Sequence, residues 1–130
     1  MSDTVPLTTG PATILIVEDE PMILMELAFA VEDLGATAVT ATSVRKALDA
    51  IAGTKPDAAV LDFNLGRGQT CQSISDKLDE LGVPFLLHSG DLMRQGEVIQ
   101  RMGAEVISKP SDSREVARRV LAKATQKAAE

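Results

Sequence analysis

The residues best suited to chemistry are acids, one hydroxyl and one ammonium, each directly after an apolar run. Glu18, Asp19 and Glu20 follow the run ILIV at 14–17, and Pro21 closes the cluster. Asp62 follows AAVL at 58–61, Ser89 follows PFLLH at 84–88, and Lys109 follows AEVIS at 104–108. Two carboxylates about 4 Å apart repel by roughly 4 kcal/mol at an effective dielectric of 20, so Asp19 and Asp62 brought together would need a counter-ion. Mg²⁺ (or Mn²⁺) suits such a site, because it takes a few carboxylates, a carbonyl and several waters. A carboxylate can also attack a phosphoryl group to give an aspartyl phosphate, which makes Asp62 a candidate nucleophile. Lys109 would neutralise phosphoryl oxygens and Ser89 would donate a hydrogen bond to one of them.

These residues reach one place only if the elements carrying them do. Five apolar runs alternate with five amphipathic segments. Strands are predicted over 13–18, 37–41, 58–61, 83–88 and 104–108. The first helix starts at Pro21 and stops at Gly35, with Leu24, Leu27, Ala28, Val31 and Leu34 as its buried stripe. Ser43 caps a second helix that Gly53 terminates, and a third runs over 71–81 to Gly82. A weaker helix over 92–102 is interrupted by Gly96, and Ser111 caps the last one. Strand–helix units joined by short connections make an α/β fold, a doubly wound five-stranded parallel sheet in the order 2-1-3-4-5. In such a sheet ligands bind beyond the carboxyl ends of the strands, where the winding reverses, here between strands one and three. That rim carries Glu18, Asp19, Asp62, Ser89 and Lys109.

Bulk properties narrow the function. At 130 residues, one domain over 12–130 is expected, preceded by a flexible tail over 1–11 that contains Pro6, Gly10 and Pro11. With three Phe and no Trp or Tyr, the core must be aliphatic. A net charge of −6 argues against nucleic acid or an anionic membrane as partner. The single Cys71 excludes an internal disulfide and a thiolate zinc site, and is expected to be a small buried residue of helix three. A start without a basic region or apolar stretch is no signal peptide, so a cytoplasmic location is expected.

The ordered set Glu18-Asp19, Asp62, Ser89, Lys109-Pro110 resembles the receiver domain of bacterial two-component response regulators, over about residues 13–125. The resemblance implies a flavodoxin-like receiver fold that accepts a phosphoryl group on Asp62 from a sensor histidine kinase and passes a signal to a downstream protein. It also implies Mg²⁺ held by Asp19, Asp62 and the backbone carbonyl of Asn64, with Glu18 acting through water, and a cis Lys109–Pro110 peptide. Such a module is a phosphoacceptor rather than an enzyme. Asn64 and Asp91, two after the phosphorylated aspartate and two after the Ser/Thr, would flank the hydrolytic water, and both are small and polar. PFLLHSG at 84–90 and DFNLGRG at 62–68 are similar to a stand-alone PFxFATG-type subgroup, associated with histidine kinases of the HWE type.

Two positions depart from that family. The residue three before Lys109, often an aromatic that swings inward on activation, is Val106, and the usual proline four after the aspartate is Gly66. Signal transfer through the loop and helix after Ser89 is the expected substitute. Two other functions compete. A Mg²⁺-dependent phosphohydrolase commonly needs an aspartate where Asn64 stands, and a receiver that binds partners without phosphorylation would not need the full acid–hydroxyl–ammonium set. His88, the only histidine, is expected to pack beside helix four, and 66–68 reads as a flexible active-site loop. Met22, Met25 and Phe29 lie outside the first helix's stripe, as an apolar patch that would suit a kinase helix bundle.

Overall fold

A computed structural model describes residues 11–90 and 92–129, with side chains described outside 92–95 and 126–129. The expected tail, up to residue 10, and Asp91 lie outside the described residues. Five strands and five helices alternate: β1 (Thr13–Val17), α1 (Pro21–Asp33), β2 (Thr37–Ala41), α2 (Val44–Thr54), β3 (Ala58–Leu61), α3 (Gln72–Leu81), β4 (Phe85–Ser89), α4 (Leu92–Met102), β5 (Glu105–Ser108) and α5 (Ser113–Ala129). All strand pairs are parallel, in the order β2-β1-β3-β4-β5, as expected from the sequence.

The inner strands β1, β3 and β4 are largely apolar because both of their faces are covered, whereas the edge strands β2 and β5 expose Thr37, Thr40 and Glu105. Alternate residues feed two cores. Leu15, Val17, Ala59, Leu61 and Leu87 pack with Ala47, Ile51, Ile74 and Leu78 from α2 and α3. Ile14, Ile16, Val60 and Leu86 pack with Leu27 and Val31 of α1 and Val116 and Val120 of α5. Cys71 is fully buried in the first of these cores.

Several boundaries differ from those the sequence suggests. α2 does not stop at Gly53 but runs to Thr54, because Lys55 takes the left-handed capping conformation (φ +47°). Gly96 does not interrupt α4. Ser111 does not cap α5; Asp112 does, its Oδ1 accepting from Arg114 N–H at 2.9 Å. Leu34 lies past the end of α1 and is exposed rather than part of the buried stripe. β4 begins at Phe85 rather than residue 83 and takes in Ser89, which adds Ser89 to the sheet edge beside Ser108.

Candidate functional site

Backbone pairing beyond the strand ends aims the site. Glu18 N–H donates to Ala41 O at 3.1 Å, and Asp62 N–H donates to Val17 O at 2.9 Å. Lys109 N–H donates to Ser89 O at 2.9 Å. The acids, the hydroxyl and the ammonium are therefore held by the same ladder that makes the sheet. Asp19, Glu20, Asp62, Asn64, Gly66, Ser89, Gly90 and Lys109 line a cleft of about 320 Å³. Asp91 is the one expected site residue on which the structure is silent.

Lys109 Nζ lies 3.2 Å from Asp62 Oδ2 and 2.9 Å from Glu18 Oε1, bridging the two acids. The contact with Asp62 is a hydrogen bond. The approach to Glu18 Oε1 is close enough for an ion pair but poorly angled for a hydrogen bond, and we read it as an ion pair. The other Glu18 oxygen accepts from Glu20 N–H at 3.2 Å. Glu20 itself is exposed, makes no side-chain cap to α1, and sits 4.0 Å from Lys109.

Burial sets the electrostatics. Glu18 is only 1% exposed, and desolvation pushes its carboxyl up to about 7 against the pull of Lys109, with the nearby Asp62 charge adding to the rise. Desolvation also raises Asp62, although the Lys109 charge opposes it. Burial works to lower Lys109, but its close ion pair with Glu18 and the charge of Asp62 outweigh it and raise the ammonium's pKa. Acids that resist ionising beside an ammonium held charged mark a site short of positive charge.

A divalent cation fits that shortage. Glu18, Asp19 and Asp62 each offer an oxygen within 4.8 Å of the others. Three carboxylates and one ammonium leave a net of −2 when all are ionised, which one divalent ion would cancel. Glu18 Oε1 is buried without a hydrogen-bond partner. A Cβ at Gly66 would stand 3.4 Å from Asp19 Oδ2, so the bare backbone there leaves Asp19 room.

The loop after Asp62 is tighter than expected. Gly66, Arg67 and Gly68 all have positive φ (+81°, +54° and +75°). The turn is closed by Gln69 N–H to Gly66 O and Leu65 N–H to Gln69 O, both 2.9 Å, with Asn64 paired to Thr70 behind it. The Lys109–Pro110 peptide is cis, as the family resemblance implied.

Val106 is half-buried against the core shared with Val98 and Met102 of α4. His88 does not pack beside α4. It shares the α1/α5 face of the sheet with its neighbour Ile107, and its Nε2 lies 2.8 Å from Ser111 Oγ. That contact joins residues 23 apart, and nothing in the local sequence pattern announces it.

A doubly wound sheet with acids at the reversal point and a lysine bridging them defines the class: an α/β module with an acidic site at the carboxyl rim of its sheet. The comparisons identify the family. The response regulator receiver domain family matches residues 14–121, and the chain belongs to it. The receiver domain of NtrX from Brucella abortus is similar at 26% identity over 87% of this chain and 98% of that one, with a TM-score of 0.75. A response regulator receiver protein from Burkholderia phymatum is 23% identical over 88% and 95%, with a TM-score of 0.75. A receiver domain protein from Clostridium thermocellum superposes with a TM-score of 0.78 at 19% identity, over 91% and 98%. No curated protein matches by sequence. Among the described residues, no helix is long and apolar enough to cross a membrane.

Proposed function

We propose that Asp62 accepts a phosphoryl group from a histidine kinase, in a Mg²⁺-dependent reaction, and that the chain works as a stand-alone cytoplasmic receiver in phosphorelay signalling. The observation that carries this is Lys109 Nζ set between Asp62 Oδ2 at 3.2 Å and Glu18 Oε1 at 2.9 Å, with Asp19 beside them. An Asp62 oxygen attacks phosphorus, the P–O bond forms, and the P–N bond to the donor imidazole breaks. The imidazole nitrogen leaves with the bonding pair. Lys109 would face the charge gathered on the phosphoryl oxygens, and Ser89, at the end of β4 and lining the cleft, would donate to one of them. Asp19, Asp62 and the Asn64 carbonyl would hold the metal, with Glu18 acting through water. The ion supplies neutralisation of developing charge.

The partner surface is α1. Met22, Met25 and Phe29 are 75%, 54% and 62% exposed, and three and four residues apart they share one helical face. An apolar stripe of this kind suits the helix bundle of a sensor kinase, and PFLLHSG on β4 favours the HWE type. A second reading, binding without phosphorylation, draws only on Val106, which lacks the aromatic ring of the usual switch. Hydrolase action is disfavoured because Asn64, two after the nucleophile, cannot act as an acid or base.

Incubation with acetyl phosphate and Mg²⁺, followed by intact-mass measurement, tests the proposal. One added phosphoryl group, absent in Asp62→Asn, is expected. Rapid turnover of the donor with no phosphoprotein accumulating would favour the hydrolase, and modification of Asp62→Asn at another residue would remove Asp62 from its role.

A further inference from the structure

The histidine buried under the rim has no part in the chemistry above. His88 is only 4% exposed, and its Nδ1 is buried without a partner while Nε2 meets Ser111 Oγ at 2.8 Å. A neutral imidazole carries one N–H. On Nδ1 it would be a buried donor with no acceptor. On Nε2 it is satisfied by Ser111 and leaves only a bare lone pair, so Nε2–H donating to Ser111 is the better assignment. The ring is held neutral, burial and the Lys109 charge pushing it down to about 4.

That bond has a partner in the neighbouring residue. Ser89 O accepts from Lys109 N–H at 2.9 Å, so residues 88 and 89 of β4 hold residues 111 and 109 of the following turn. The turn is pinned on both sides of Pro110. The nearer pin fixes the Lys109 backbone and the farther one fixes the direction in which the chain leaves it. Beyond the farther pin the turn borders an open groove of about 360 Å³, shared with Ile23 and Glu26 of α1.

We propose that His88 is a positioning residue for Lys109: by donating to Ser111 it anchors the turn after β5 and keeps the Lys109 ammonium between Asp62 and Glu18. This rests on the reading of Asp62 as phosphoacceptor. The acids are carried by β1 and β3 and not by the turn, so loss of the pin should slow phosphoryl acceptance without weakening metal binding. One neutral hydrogen bond in this position supports an effect of roughly three- to tenfold on rate.

The test uses the full chain with acetyl phosphate and Mg²⁺. Ser111→Ala is expected to lower the phosphorylation rate roughly three- to tenfold with Mg²⁺ bound no less tightly, since a displaced ammonium repels the metal less. His88→Gln, which keeps an N–H donor, should recover much of what His88→Phe loses. Should the His88 variants fail to fold, Ser111→Ala still decides. In a Lys109→Ala background, Ser111→Ala should cost nothing further, because it acts through the missing ammonium. An unchanged rate in Ser111→Ala, an equal further loss without Lys109, or a parallel fall in Mg²⁺ affinity would overturn the proposal. If the wild type takes up no phosphoryl group, the functional reading fails by itself. The Lys109 side-chain NMR resonances then still decide the positioning role: broadened or shifted in Ser111→Ala if the pin holds the ammonium, unchanged if it does not.

Discussion

Two buried groups should pull the stability of the metal-free protein in opposite directions as pH falls, and single substitutions should expose each. Glu18 rises on folding from 4.5 to about 7, so between these values the native state binds more protons than the unfolded chain. Stability from this group is full below 4.5 and is lost as pH rises towards 7. His88 falls from 6.5 to about 4, so the native state binds fewer protons there, and its contribution is lost as pH falls below 6.5. At about 1.4 kcal/mol per pH unit, each displacement amounts to roughly 3 kcal/mol over its full window, a large share of the usual 5–15 kcal/mol of a domain. In the overlap, from 4.5 to 6.5, the two slopes oppose. With chelator present, His88→Gln should therefore gain stability on acidification, relative to wild type, by about 1.4 kcal/mol per pH unit. Glu18→Gln should lose stability on acidification relative to wild type, and the carboxylates outside the cluster are common to all three proteins. Urea titrations followed by far-UV circular dichroism measure this, since the chain has no Trp or Tyr to report by fluorescence. Parallel pH profiles for wild type and both variants would refute the reasoning.

Mg²⁺ at 100 times its dissociation constant should raise stability by about 2.7 kcal/mol at pH 8, where Glu18 is ionised, and much less at pH 5; an equal gain in Asp19→Asn would count against the acidic site. Gly66→Ala should destabilise by roughly 1–2 kcal/mol, because a side chain is strained at its φ of +81°. The same variant should weaken Mg²⁺ binding by crowding Asp19 Oδ2, which thermal melts with and without metal would separate. Asn64 is exposed at the cleft and small, so Asn64→Lys should lengthen the life of the phosphorylated protein after donor removal; a phosphoprotein decaying as fast as wild type would deny this position control of water access.

The sheet was legible because its inner strands are apolar runs closed by a polar residue, and short connections left one winding order. The rim was legible for the same reason, since Glu18, Asp62, Ser89 and Lys109 are the polar residues at or just beyond those runs. Helix ends were less so. Gly53 and Ser111 are good stop and cap residues by type, yet Lys55 and Asp112 took those roles, and residue preference at a cap separates neighbours by only about 1 kcal/mol. His88 was misplaced for a different reason. A buried run has no polar alternation to mark which residue faces which layer, so its side of the sheet follows only from the strand register.

The cluster also explains why removing its central acid should help the fold while ending its function. Asp62 is 6% exposed and stands among Glu18, Asp19 and Lys109. Desolvation raises its carboxyl and the Asp19 charge adds to the rise, so at neutral pH the ionised form is less comfortable folded than unfolded. Its removal changes the charge of the metal-free set from −2 to −1. Asparagine keeps the shape and an oxygen that can accept from Lys109, and Lys109 retains its ion pair with Glu18. In chelator at pH 8, Asp62→Asn should therefore melt above the wild type, even though it breaks one ion pair. With saturating Mg²⁺ the order should narrow or reverse, because the variant gives up a metal ligand. A variant that melts below wild type without metal would mean that the Lys109–Asp62 pair contributes more than the crowding of acids costs.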